Sequence, residues 1–146
     1  MTVEIRVLGR EDSSVLGNVA AGVFDHPVAM KWCTEFFEDP RHHLAGAREE
    51  EVVVGFASAV HYVHPDKPPE LWINEVGVAP SHQRQGIGGR LVAALLDLGA
   101  RLGCVQAWVL TSPGNTAARQ LYAGAGGQEA AEMSVMYEFP LGEGRR

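Results

Sequence analysis

Residues 83–90 read Gln-Arg-Gln-Gly-Ile-Gly-Gly-Arg. They follow an apolar run, Leu71 to Val78, and open a long segment of helical apolar period. A strand, a glycine-rich turn and a helix in succession point several free backbone N–H groups at one spot. The first four amides of a helix lack intrahelical partners and carry partial positive charge, which suits a phosphate or pyrophosphate. Gly86, Gly88 and Gly89 would let such a ligand approach the main chain with no Cβ in the way. Arg84 and Arg90 add formal positive charge beside it.

Spacing narrows the kind of cradle. No Lys-Ser or Lys-Thr follows the glycines, as a Walker A loop requires, and Leu91 stands where a dinucleotide fingerprint needs its third glycine. The pattern Gln/Arg-x-x-Gly-x-Gly/Ala does fit, through Gln83, Arg84, Gln85, Gly86, Ile87 and Gly88. This resembles the acetyl-CoA pyrophosphate loop of the GNAT N-acetyltransferases. The resemblance implies that these residues, with Gly89, bind the cofactor.

Length and charge bound the rest. The chain of 146 residues is read as a single domain, 1–146, long enough to bury a core without staples. Cys33 and Cys104 form no Cys-x-x-Cys pair and read as core thiols of a reduced, cytoplasmic protein. No basic-then-apolar leader opens the sequence, and its longest apolar stretch, Leu91 to Leu96, is too short for a membrane span. The net charge of −6 argues against nucleic acid as a partner and favours a cationic or neutral substrate.

Periodicity predicts alternating elements. Val3 to Leu8 alternates as a strand. Asp12 or Ser13 is expected to cap a helix reaching Phe24. A second helix is expected from Asp25-His26-Pro27 through Phe37, with Pro27 in its first turn. Strands over His43–Arg48 and Val52–Tyr62 flank the acidic turn at Glu49-Glu50-Glu51, and Leu71–Val78 forms the next. After the glycine loop, Ile87, Leu91, Leu95, Leu98 and Leu102 share one helical face, which Gly103 ends. A strand over Cys104–Leu110, a helix from Asn115 to about Ala125 and a last strand over Met133–Phe139 complete the pattern. The order implies an α/β fold around a mixed sheet, and the resemblance makes that sheet mostly antiparallel, with a splayed fourth and fifth strand and about four flanking helices.

Two further motifs extend the resemblance. Gly77 lies inside a strand, where glycine marks a bulge or a close backbone approach. In the family the pantetheine arm inserts beside a bulged fourth strand, so Val76, Gly77 and Val78 would supply backbone partners. Residues 112–122 resemble the family's Asn-x-x-Ala-x-x-Leu/Phe-Tyr motif through Asn115, Ala118, Leu121 and Tyr122. Asn115 and Tyr122 are thereby implied in cofactor binding.

The activity implied is direct acetyl transfer from acetyl-CoA to an amine. An amine is mostly protonated at neutral pH, so a base must take its proton before attack. Glu75, in the apolar company of Trp72, Ile73 and Val76, is the candidate; desolvation would make it a better base, directly or through a water. Tyr122 is the candidate acid for the departing thiolate, and the N–H of Val76 or Gly77 the candidate oxyanion donor. Inert readings stand beside each: a paired strand carboxylate and a core tyrosine.

The six histidines complete no ligand set with Cys or paired carboxylates, and no metal is expected. Asp25, His26 and Glu75 are expected on the acceptor side. Further acids (Glu35, Glu38, Asp39, Asp66, Glu70, Glu132, Glu138) would make that side suit a polyamine or amino-sugar, unless they form an ordinary solvated face. Phe24-Asp25-His26-Pro27, Asn74-Glu75-Val76-Gly77-Val78 and Val135-Met136-Tyr137 are similar to the aminoglycoside 3-N-acetyltransferase branch, although Glu75 stands where that branch would have Asp. The acceptor expected is a small cationic amine; a polypeptide acceptor and a non-catalytic acyl-CoA-binding module are the alternatives. The resemblance also makes a homodimer possible.

Overall fold

The computed structural model describes residues 2–142. Five strands follow one another across a single sheet: β1 (Val3–Leu8), β2 (His42–Glu49), β3 (Val52–Tyr62), β4 (Glu70–Val78) and β5 (Ala107–Val109). The first three junctions are antiparallel, and β4 and β5 run parallel. Three α-helices, α1 (Met30–Glu38), α2 (Ile87–Arg101) and α3 (Thr116–Gly124), and two short 3-10 segments complete the order. The expected α/β architecture with a mostly antiparallel mixed sheet is the one formed.

The core lies between the sheet and α2. Ile87, Leu91 and Leu95 recur at steps of four and are buried against Ala45, Ala57 and Leu71 from the strands. The stripe ends early, because Leu102, in the expected face, is exposed. On the opposite face α1 turns in Cys33 and Phe37, again four residues apart.

Several expected elements differ. Arg10–Gly17 is a 3-10 segment rather than the start of a helix to Phe24. Asp12 does not cap it from outside; its carboxylate accepts the Gly9 N–H at 2.7 Å from within the first turn. Beyond Gly17 the chain leaves to bond with Val53, whose N–H donates to Asn18 and whose carbonyl accepts from Ala20, both at 2.9 Å. That pairing removes the backbone groups a longer helix would use. The second helix begins at Met30, not near Pro27, and residues 27–29 run into it without helical structure. β5 spans three residues instead of seven. Met133–Phe139 joins no strand among the described residues.

Candidate acetyl-transfer site

The glycine loop is built as the sequence suggests, though its glycines differ in use. Arg84 (φ 65°) and Gly86 (φ 78°) both adopt left-handed backbone, which turns the chain sharply into α2. Gln83 pins the loop by donating from Nε2 to the Val78 carbonyl at 3.0 Å. Residues 83–86 are exposed, whereas Ile87 is buried, so it offers a ligand only its main chain. A Cβ at Gly86 or Gly89 would meet nothing within 4 Å. Gly88 is otherwise: a Cβ there would overlap Leu121 Cδ1 of α3. Gly88 therefore serves helix packing, not ligand approach. Arg90 also departs from its expected place, donating to the Val3 carbonyl at 3.1 Å on β1.

Beside the loop, β4 and β5 separate. Their pairing covers Leu71–Ala107, Trp72–Trp108 and Ile73–Val109, and stops there. Trp72 and Trp108 stack with centroids 5.2 Å apart at this last paired stretch. From Asn74 to Val78 the β5-facing edge of β4 has no strand partner among the described residues. The bulge expected near Gly77 falls three residues earlier. Ser58 faces Glu75 and Ala59 faces Ile73, leaving Asn74 as the extra residue. Gly77 instead admits the Val23 carbonyl, which a Cβ would overlap. An unpaired strand edge next to a bare helix N-terminus fits an extended arm ending in a pyrophosphate, since one offers main-chain partners and the other offers amides.

On the far side of the sheet lies a cleft of about 260 Å³. It brings together Asp25, His26 and Glu75, three residues expected on the acceptor side. Most of its wall is apolar, including Phe24, Trp32, Phe36 and Phe56. Phe24 stacks on Phe56 at 4.0 Å between centroids. The enclosure expected around Glu75 is not formed, and the residue is exposed in the cleft. Nor do the other acids converge on it. Asp39 accepts the Arg41 N–H at 2.9 Å, and Glu70 lies 3.7 Å from His64. Glu35 and Glu38 are on exposed positions of α1.

Two cleft residues escaped the sequence reading. Ser58 is buried on β3 directly opposite Glu75, a lone hydroxyl in an otherwise apolar run. Trp32 is 62% exposed, an unusual position for so large an apolar surface. Tyr122 is not among the residues lining the cleft; it packs half-buried from α3, and burial pushes its phenol up. Asn115 caps α3 as expected, with Oδ1 accepting the Ala118 N–H at 3.0 Å. Among the described residues no three potential ligands gather for a metal. His43 and His61 meet at 2.7 Å between ring nitrogens without a third partner.

Residues 14–126 match the model of the family described as "Acetyltransferase (GNAT) family". The N-alpha-acetyltransferase RimI of Mycobacterium tuberculosis is 34% identical over 128 residues, covering 86% of this chain and 78% of the relative. An aminoglycoside N(6')-acetyltransferase type 1 of Salmonella typhimurium is 32% identical over 101 residues, covering 65% and 69%. Among solved structures, AAC(6')-Iy in complex with the bisubstrate analogue CoA-S-monomethyl-acetylneamine superposes with a TM-score of 0.75 at 24% identity, covering 94% of this chain and 98% of that one.

Proposed function

The chain belongs to the GNAT acetyltransferase family and is an acetyl-CoA-dependent N-acetyltransferase; on that footing we propose that its acceptor is the primary amine of a small polycationic molecule, an amino-sugar of the aminoglycoside kind. The observation that carries this reading is the pair of carboxylates lining one cleft, Asp25 from the loop before α1 and Glu75 from β4. One can hold a cationic substrate while the other takes its proton. The aminoglycoside relatives and the net charge of −6 support it.

Acetyl-CoA supplies an activated thioester. The residues proposed to hold it are Val76, Gly77 and Val78 on the unpaired edge, Gln83 to Gly89 in the loop, and Asn115 and Tyr122 on α3, Gly88 acting through packing. Glu75 accepts the ammonium proton, directly or through a water. The freed nitrogen then attacks the acetyl carbon and forms the amide bond as the carbon–sulfur bond breaks. An N–H of Val76 or Gly77 meets the oxyanion, the Tyr122 hydroxyl gives its proton to the leaving sulfur, and the second proton the nitrogen loses as the amide forms restores that hydroxyl.

A specific observation favours a second acceptor. The wall of the cleft is mostly aromatic and aliphatic, which suits the apolar first side chain of a peptide bearing a single α-amine, and RimI is an N-alpha-acetyltransferase by name. The test is one panel read by free thiol: aminoglycosides carrying both 3-N and 6'-N amines beside short peptides with apolar first residues. Turnover on the aminoglycosides is expected, and mass spectrometry of the product reports the position. The 3-N position is the one the Phe24–Pro27 block favours. Turnover on peptides alone would overturn the amino-sugar reading.

A further inference from the structure

From Val53 to Ala59 every residue of β3 is buried, and all but Ser58 are apolar or glycine. Ser58 is 7% exposed. A buried hydroxyl ordinarily finds a partner, because an unmet one destabilises the fold. Among the described residues Ser58 Oγ makes no hydrogen bond. Nor is its oxygen sealed: the unpartnered side-chain atom closed off from solvent is His64 Nε2. The opening left to Ser58 is the cleft that it lines.

Register places that hydroxyl on the cleft's floor. Side chains alternate along a strand, so Phe56 and Ser58 share a face while Ala57 and Ala59 take the other. Leu44 on β2 and Glu75 on β4 stand directly opposite Ser58, and both line the same cleft. The titratable groups there, Asp25, His26 and Glu75, are exposed, whereas Ser58 is buried among Leu44, Phe56 and Cys33. A neutral hydroxyl thus lies deeper than the charges.

We infer that Ser58 anchors the acceptor nitrogen, its Oγ accepting one N–H of the attacking amine. The inference rests on the reading of this cleft as the acceptor site. Cross-strand neighbours keep their Cβ atoms roughly 4.5–5.5 Å apart, so one nitrogen can reach both Ser58 and Glu75. An ammonium group carries three N–H donors. Glu75 takes the first proton, and Ser58 holds the second by accepting it, as a hydroxyl with two lone pairs can. With that N–H fixed, the lone pair opens in a set direction, toward the acetyl carbon. Ser58 itself gains and loses no proton. An unmet hydroxyl kept in a buried strand breaks a local rule, and such breaks gather at functional sites.

The test compares ligands that all carry CoA: CoA itself, CoA-S-monomethyl-acetylneamine, and CoA joined likewise to the α-amine of a short peptide with an apolar first residue. Calorimetry reads each affinity for the full chain and for Ser58→Ala. The variant should bind CoA as the parent does and bind at least one conjugate about fivefold more weakly, or worse. Its urea midpoint should hold or rise, because the change removes an unmet hydroxyl and leaves the strand intact. Equal affinity for both conjugates in parent and variant would overturn the inference. So would a loss shared equally by CoA, or a lower midpoint, which would mark a hydroxyl that serves the fold. A Ser58 dependence confined to the peptide conjugate would keep the anchor and remove the amino-sugar reading. An undiminished rate in Glu75→Gln would likewise keep the anchor and remove the base.

Discussion

The carbonyl oxygen of Val23 sits so close over Gly77 that no side chain fits at position 77. This contact seats the loop before α1 on β4, within two residues of Glu75, and thus ties the cleft to the strand edge. Both the obstructing atom and the glycine belong to the main chain, so neither can rotate away. Gly77→Ala should lower stability by roughly 1–3 kcal/mol. Urea denaturation checks it, and an unchanged midpoint would show that the loop is free to lift.

Gly89 makes a contrasting case. It lies in the first turn of α2 with open space where a Cβ would go. Gly89→Ala should raise stability by up to about 1 kcal/mol through helix propensity. The same methyl would stand among the amides proposed to hold the pyrophosphate, so CoA affinity should fall at least tenfold by calorimetry. Tighter folding with unaltered CoA binding would remove this turn from the cofactor site.

Much of this arrangement was legible in the residues, because local rules decided it. Alternation from Val3 to Leu8, the four-residue steps of α2 and the Asn115 cap depend on neighbours along the chain. Elements governed by distant partners were not legible. Val53 draws Asn18 and Ala20 into sheet bonding and so ends a helix that looked acceptable locally. Gly88 resembled a loop glycine until Leu121 was placed against it. The acids at Glu35, Glu38, Asp39 and Glu70 looked like a substrate surface, since composition does not report direction. Met133–Phe139 has a strand's pattern, yet a strand needs an edge, and among the described residues it pairs with none.

Stability should depend on pH through the His43–His61 pair. Burial, then the His61 charge, lower His43 to about 4, and burial also lowers His61. A depressed folded value means the unfolded chain binds more protons between pH 6.5 and about 4, so stability rises with pH across that window and is lost on acidification through it. Urea midpoints measured over this range should fall toward pH 4, and His43→Gln should flatten the slope. A parallel curve for the variant would assign the loss to other groups.

Tyr122 is held protonated through the physiological range, because burial raises its phenol. The proton that the proposed reaction passes to the departing thiolate is therefore in place at neutral pH. Tyr122→Phe removes that proton while keeping the ring that packs against the core. Transfer should slow at least tenfold with CoA binding retained. An indifferent variant would reduce Tyr122 to packing.

Glu75 is the base of the proposed reaction. It occupies the stretch of β4 that has lost its β5 partner, faces the acceptor cleft, and lies beside the bulged Asn74. The bulge re-aims the strand, so that the carboxylate is presented to the cleft two residues after Ile73, the last residue paired with β5. Its exposure leaves room for an ammonium group to arrive with its water, and for the proton to pass either directly or through that water. Glu75→Gln keeps the shape but accepts no proton. The rate should drop about 100-fold or more if general-base catalysis is its role, acetyl-CoA affinity should hold, and the acidic limb of the rate profile should disappear. A variant with reduced amine affinity but an intact profile would make Glu75 a binding group and move the proton transfer to solvent.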